Sequence, residues 1–158
     1  LEPVSVAKAG RIAPLLVPER PVFAVTPNVD ELGALVGHPV ADSTDDILAA
    51  AGELQQRGVA HVWVSRGAAG SLLAGGGECV PIAAVPARVT DVTGAGDAMT
   101  AGFVHGLLAG EEPAAAARDG HLAAALTVAS GHTVPPDLGV AFAAALADYP
   151  AQPEGARP

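Results

Sequence analysis

Apolar residues along this chain recur at two spacings, and the switches between them mark its elements. Two stretches, residues 21–27 (PVFAVTP) and 59–65 (VAHVWVS), are compact runs of β-branched, aromatic and small apolar residues, which reads as buried strand. Elsewhere the spacing is helical. Ile47, Leu48, Ala51 and Leu54 form one face of a helix that starts at Ser43 or Thr44, carries acids in its first turn and stops at Gly58. A short helix capped by Ser5 runs to about Ile12, with Pro14 beyond its end. Another follows Asn28, carries Leu32, Leu35 and Val36, and stops near Gly37. After the second strand, RGAAG makes a turn, and SLLA and ECVPIAAV are predicted as two short strands joined through GGG as a hairpin. A helix from Gly96 to about Ala109, one from Pro113 ending at Gly131, and a short one over Val140–Ala147 complete the pattern. Residues 149–158 read as a flexible tail after a folded part at 1–148.

Strands alternating with helices predict an α/β fold: a mostly parallel sheet covered on both faces, with an antiparallel hairpin at one edge. Ligands of such sheets gather at the carboxyl ends of the strands. Thr26-Pro27-Asn28 and Ser65-Arg66-Gly67 both follow strands, and the Gly94–Gly96 turn, which opens a helix, is placed to share their rim.

Composition narrows the possibilities. The 158 residues are half apolar with a mean hydropathy of +0.38, which suits a packed globule of single-domain size. Aromatics are 3%, so the core is built from Ala, Val and Leu. A net charge of −9 with eight scattered Lys and Arg argues against a nucleic-acid partner. No apolar run approaches the roughly eighteen residues of a membrane span, so no membrane partner is expected. Cys79 is the lone cysteine, which excludes a disulfide framework and makes a reducing cytoplasm the expected location. His38, His61, His105, His121 and His132 stand at no metal-ligand spacing, and Trp63 is expected in the core. The opening LEPVSVAKAG reads like the interior of a protein, so the sequence is expected to be a fragment.

Three stretches carry candidate chemistry. In Thr93-Gly94-Ala95-Gly96-Asp97, two glycines let backbone N–H groups approach a ligand, and the helix that follows adds its dipole, which makes an anion site. It is no Walker A loop, because the chain holds no Gly-Lys-Ser/Thr. Asp97 is placed to take a proton from a hydroxyl that attacks a phosphoryl group, yet an acid in a first turn also serves as a plain helix cap. The residues alone allow both. Asn28 and Glu31 stand three apart, which puts an amide and a carboxylate on one helical face; they suit the outer shell of Mg²⁺, or a capping box. Ser65 and Gly67 offer a hydroxyl and N–H donors to a phosphate, with Arg66 adding charge, or they form an ordinary strand–turn–strand.

In this order, DVTGAGDAMTAGF, TPNVDE and VWVSRGAAGSLL resemble the signature elements of the ribokinase-like (PfkB) carbohydrate kinases, and the joint pattern spans most of residues 1–135. The resemblance implies a three-layer α/β/α ribokinase-like fold, of which this chain is the C-terminal, ATP-binding part, without the N-terminal strands and lid. It implies Asp97 as catalytic base, and Gly94, Ala95 and Gly96 as the anion hole. Asn28 and Glu31 would organise Mg²⁺, and Ser65, Gly67 and Thr93 would contact ATP. The helix around His121 and Ala124 would line the adenine pocket. EPVSVAKAGR, VTPNVDEL and ALTVASGHTVPPDL look most like pseudouridine kinases, which implies phosphorylation of the 5′-hydroxyl of pseudouridine. A kinase for another sugar or nucleoside stays open, as does a non-catalytic nucleotide-binding remnant; the family also implies a homodimer for a longer parent. A truncated sheet would expose a strand edge and apolar surface.

Overall fold

Helix ends in the computed structural model, which describes residues 1–149, fall where caps and glycines put them. Residues 150–158 of the expected tail lie outside the described residues. The chain divides into two compact units, Leu1–Ala84 and a second from Val85 onward, a division that its even composition does not announce.

In the first unit, α1 (Val6–Ile12) is capped by the Ser5 hydroxyl, which accepts from the Lys8 amide, and a 3-10 turn at Ala13–Leu15 follows it. Strand β1 (Val22–Val25) leads into α2 (Val29–Val36), which ends at left-handed Gly37. Helix α3 (Thr44–Gln56) starts at Ser43, whose hydroxyl accepts from the Asp46 amide. Arg57, at the end of α3, donates to the carbonyls of Leu35 (2.9 Å) and Val36 (3.2 Å) and so satisfies the last turn of α2. Strands β2 (Val59–Ser65), β3 (Ser71–Gly75) and β4 (Glu78–Ile82) complete the unit.

The sheet order is β1-β2-β3-β4. Only β1 and β2 pair in parallel among the described strands, while β2–β3 and β3–β4 are antiparallel, so the expectation of a mostly parallel sheet is corrected here to a mixed one. The reason is the length of the connections. A parallel pair needs a crossover, which α2 and α3 supply between β1 and β2; RGAAG and the Gly76-Gly77 turn can only reverse the chain. Both turn glycines have positive φ (61° and 84°), the backbone that a two-residue hairpin demands.

Strand β1 ends the sheet, and Phe23 on it is 54% exposed. That edge is met at one point. The Leu1 amino group donates to the Ala24 carbonyl (2.6 Å) and the Thr26 amide to the Leu1 carbonyl (3.1 Å), the bonding pattern of a parallel partner opposite Val25. The Thr26 hydroxyl adds a bond to the Glu2 carboxylate. Beneath the sheet, Val25, Val62 and Val64 pack with Leu32 and Leu35 of α2 and Ile47 and Leu54 of α3. Trp63 is fully buried, its indole N–H donating to the Ser71 hydroxyl at 2.7 Å.

The second unit is helical: α4 (Ala95–Leu108), α5 (Pro113–Ala129) and α6 (Leu138–Asp148). Helices α4 and α5 meet closely because Gly102 and Gly106 have no side chains. A Cβ at Gly102 would stand 2.7 Å from the Asp119 carbonyl oxygen, and one at Gly106 2.8 Å from the Ala116 Cα. Phe142 of α6 packs with Ala98, Leu122 and Ala123 and receives the His105 ring edge-on at 5.3 Å. Among the described residues, no helix is long and apolar enough to cross a membrane.

Candidate active site

The candidate residues of the first unit meet at the carboxyl ends of β1 and β2. Backbone pairing continues past β1, where the Ser65 amide donates to the Pro27 carbonyl (2.9 Å) and Asn28 and Ser65 form a parallel bridge. Residues 37 positions apart in sequence thus become neighbours, and they include two of the predicted contacts.

Asn28 and Glu31 form a complete capping box. The Asn28 side-chain oxygen accepts from the Glu31 amide (2.9 Å), and the Glu31 carboxylate accepts from the Asn28 amide (3.0 Å). Glu31 is only 6% exposed, and Asn28 lies at the surface. With one oxygen of each side chain holding the helix, this pair is suited to ordering water around a hydrated cation rather than to caging one directly. Among the described residues, no three His, Cys, Asp or Glu converge as a metal group.

After Ser65 the chain makes a tight turn. The Arg66 amide donates to the Gly70 carbonyl (2.8 Å), and Gly67 and Gly70 both have positive φ. A Cβ on Gly70 would stand 2.2 Å from the Ile82 carbonyl oxygen, so this glycine is demanded by β4. Gly67 is exposed and has open space where a Cβ would stand. Beside the rim, an open groove of about 520 Å³ between α1 and α2 is lined by Val6, Gly10, Gly33 and Ala34 and contains none of the predicted site residues.

In the second unit, the Thr93–Asp97 turn is built from behind. The Asp91 carboxylate accepts from the Thr93 amide (2.9 Å) and hydroxyl (2.8 Å), and these bonds hold its pKa below the usual carboxylate value. The Thr90 amide donates to the Val128 carbonyl (2.7 Å), which ties the loop to the carboxyl end of α5. Gly94 has φ 84°, and a Cβ there would stand 2.1 Å from the Thr133 carbonyl oxygen. Two separate constraints therefore require glycine. Gly96 has no atom within 4 Å of where its Cβ would be, so the protein itself does not require glycine at that position.

The acid question resolves in geometry. Gly94 caps α4 with no side-chain hydrogen bond, and Asp97, the third residue inside the helix, is exposed. The Ala95 amide is taken by the Val92 carbonyl (3.2 Å), whereas the amides of Gly96 and Asp97 have no acceptor among the described residues. Open first-turn amides are common, but here they lie beside a glycine with free space and an unengaged carboxylate. Asp97 is not held as a cap.

His121 and Ala124 lie mid-way along α5. His121 is buried, and loss of water pushes its pKa down; Ala124 is half-buried. The loop's backbone bonds reach α5 at Val128 and its Thr90 hydroxyl at Ala129, not at these two residues. Sequence reasoning missed Asp91 and Thr133. The Asp-x-Thr spacing is itself a turn signal and could have found Asp91; nothing local points to Thr133.

The fold of the chain is also found in known proteins. The adenosine kinase structure from Sinorhizobium meliloti matches with a TM-score of 0.75 and 27% identity over 93% of this chain and 43% of that one. Arabidopsis thaliana ribokinase, complexed with ribose and ATP, matches with a TM-score of 0.67 and 30% identity over 76% of this chain and 40% of that one. The fold is thus the ribokinase-like α/β fold. Residues 15–138 match the pfkB family carbohydrate kinases, and the chain belongs to that family. A 1-phosphofructokinase of Haloferax volcanii is 38% identical over 116 residues, 73% of this chain and 38% of that protein. The chain therefore spans about two fifths of the length of these relatives.

Proposed function

We propose that the natural protein containing this chain transfers the γ-phosphoryl group of ATP to a hydroxyl of a sugar or nucleoside. Asp97 takes the hydroxyl proton as the oxygen attacks phosphorus, the bond from phosphorus to the ADP oxygen breaks, and ADP leaves. The open amides of Gly96 and Asp97, at the helix start that Gly94 and Ala95 build, receive the negative charge on the phosphoryl oxygens. One observation carries this reading: the α4 N-terminus holds an acid that makes no cap beside two amides without acceptors.

The remaining roles follow from the resemblance. Ser65, Gly67 and Thr93 contact the phosphates of ATP, and α5 around His121 and Ala124 forms the wall beside its base. Asn28 and Glu31 would hold Mg²⁺ through water, as their use in the cap favours, and the ion would offset the charge of ATP. The finer acceptor, the 5′-hydroxyl of pseudouridine, rests on the resemblance of EPVSVAKAGR, VTPNVDEL and ALTVASGHTVPPDL. The relatives above are named for fructose phosphate, ribose and adenosine, so those acceptors compete with it.

The test uses the longest natural chain that contains this sequence. Wild type and Asp97→Asn are assayed for ADP formation with pseudouridine, ribose, adenosine and fructose 1-phosphate, and for Mg-ATP binding. The expected result is phosphorylation of one acceptor, lost in the variant with binding retained. Near-normal turnover by the variant overturns the base assignment. Mg-ATP binding with no acceptor phosphorylated points instead to a nucleotide-binding remnant.

A further inference from the structure

Arg66 is the only cationic side chain in the two rim segments 26–31 and 65–70, and it is occupied. Its Nε donates to Asp42 Oδ1 at 2.5 Å, from the turn after β2 to the loop between α2 and α3. The backbone beneath it is fixed. Arg66 N–H bonds to Gly70, the Ala69 and Gly70 amides bond back to Arg66 and Gly67, and Gly70 is wedged against Ile82. On this side of the contact, any movement is therefore in the Arg66 side chain. Arg66 is the more enclosed partner, with 21% of its side chain exposed against 57% for Asp42. The contact is single: it uses Nε, and among the described residues the two terminal NH₂ groups are unengaged. A guanidinium fork of this kind is matched to phosphate oxygens, which it binds in pairs.

We propose that Arg66 and Asp42 form a polyphosphate-operated latch. Without ligand, Asp42 holds the guanidinium at the rim and tethers the loop before α3. When a triphosphate chain reaches the Ser65–Gly67 turn, Arg66 exchanges the Asp42 carboxylate for phosphate oxygens, and Asp42 is released with its loop. The exchange swaps one anionic partner for another of higher charge, so no bond beyond hydrogen bonds changes. It makes Arg66 a nucleotide-positioning residue and Asp42 a brake on nucleotide affinity. The inference rests on the nucleotide reading for its ligand, but not on Asp97 or on phosphoryl transfer.

The experiment measures binding of inorganic tripolyphosphate and of ATP to the longest natural chain, by calorimetry at fixed salt. Removing the competing carboxylate with Asp42→Asn is expected to tighten both by roughly two- to fivefold, the scale of an exposed ion pair. Arg66→Gln is expected to weaken both by roughly ten- to a hundredfold, the scale of a charge-assisted hydrogen bond, and Arg66→Lys to recover only part of this because it lacks the fork. In the unmutated protein, the Arg66 Nε–H resonance is expected to shift on tripolyphosphate addition, a readout that survives if a variant does not fold. Unchanged or weaker binding by Asp42→Asn overturns the latch. So does an unmoved Nε–H resonance, or the absence of millimolar tripolyphosphate binding in wild type. A working latch in a protein that phosphorylates nothing overturns the kinase reading alone.

Discussion

Of the helices that carry an acid three residues after the cap, α2 and α4 use it in opposite ways. At the start of α2, Glu31 reaches back to the Asn28 amide and is buried; at the start of α4, Asp97 reaches nothing and stands in the open. The difference lies in the cap. Asn28 is extended and supplies an oxygen that completes a reciprocal pair, whereas Gly94 is left-handed and has no side chain to offer. A capping box closes a helix end and contributes stability. A glycine turn leaves the end open, at a cost in backbone entropy, and leaves its acid available for chemistry. The same residue class in the same register is therefore structural in one unit and the candidate catalyst in the other.

The sharpest way to break this contrast is to neutralise both acids. Asp97→Asn is expected to lower turnover by about 10²–10⁴-fold, the range for a general base, while thermal unfolding hardly moves. Glu31→Gln should do the reverse, with a lower melting temperature as the first effect. A result with the two exchanged would reverse the assignment. Next in size is Gly94→Ala, which forces a Cβ into left-handed backbone and against the Thr133 carbonyl; urea unfolding should show a loss of at least about 2 kcal/mol. Gly96→Ala, two residues on, meets no protein atom and is expected to keep or raise stability by up to about 1 kcal/mol. Its turnover should still fall if the anion hole proposed above is correct, because the added methyl would enter the open space beside it. An active Gly96→Ala enzyme would remove the anion hole from the reading.

The smallest expected effects are in pH, and those at Asp91 and His38 have opposite signs. Asp91, behind the α4 turn, has its pKa lowered by the Thr93 amide and hydroxyl. Its contribution is present above the ordinary Asp value near 3.9 and is lost as pH falls through the lowered folded value. His38, just past α2, has its pKa raised by its bond to Glu53 (2.9 Å) and by the Pro39 carbonyl. Its contribution is complete below the ordinary His value near 6.5 and is lost as pH rises through the folded value. NMR titration of His38 and Asp91 in the folded chain should place them on opposite sides of their free values. In the second unit, burial and Glu111 raise the pKa of Asp119, whose Oδ2 is buried without a hydrogen-bond partner. Asp119→Ala is accordingly expected to stabilise the protein at neutral pH by about 1 kcal/mol, and less as the medium becomes acidic enough to protonate the wild-type carboxyl.

What the sequence determined by itself was everything set within a few residues of itself. Ser5, Asn28 and Ser43 cap the helices they precede, Gly37 ends α2, and Gly76-Gly77 turn β3 into β4, because capping bonds and φ preferences are local. The α/β class followed from the alternation of those pieces, and the Asn-x-x-Glu spacing already contained the capping box. Tertiary structure decided what lies opposite what. The crossover through α2 and α3 set β2 beside β1 and so brought Ser65 to Asn28; the short links after β2 made the sheet mixed. Thr133 behind Gly94, and Asp42 on Arg66, lie 39 and 24 residues from their partners. Such pairings depend on strand register and helix packing, which sum many weak contacts that no single stretch of sequence encodes.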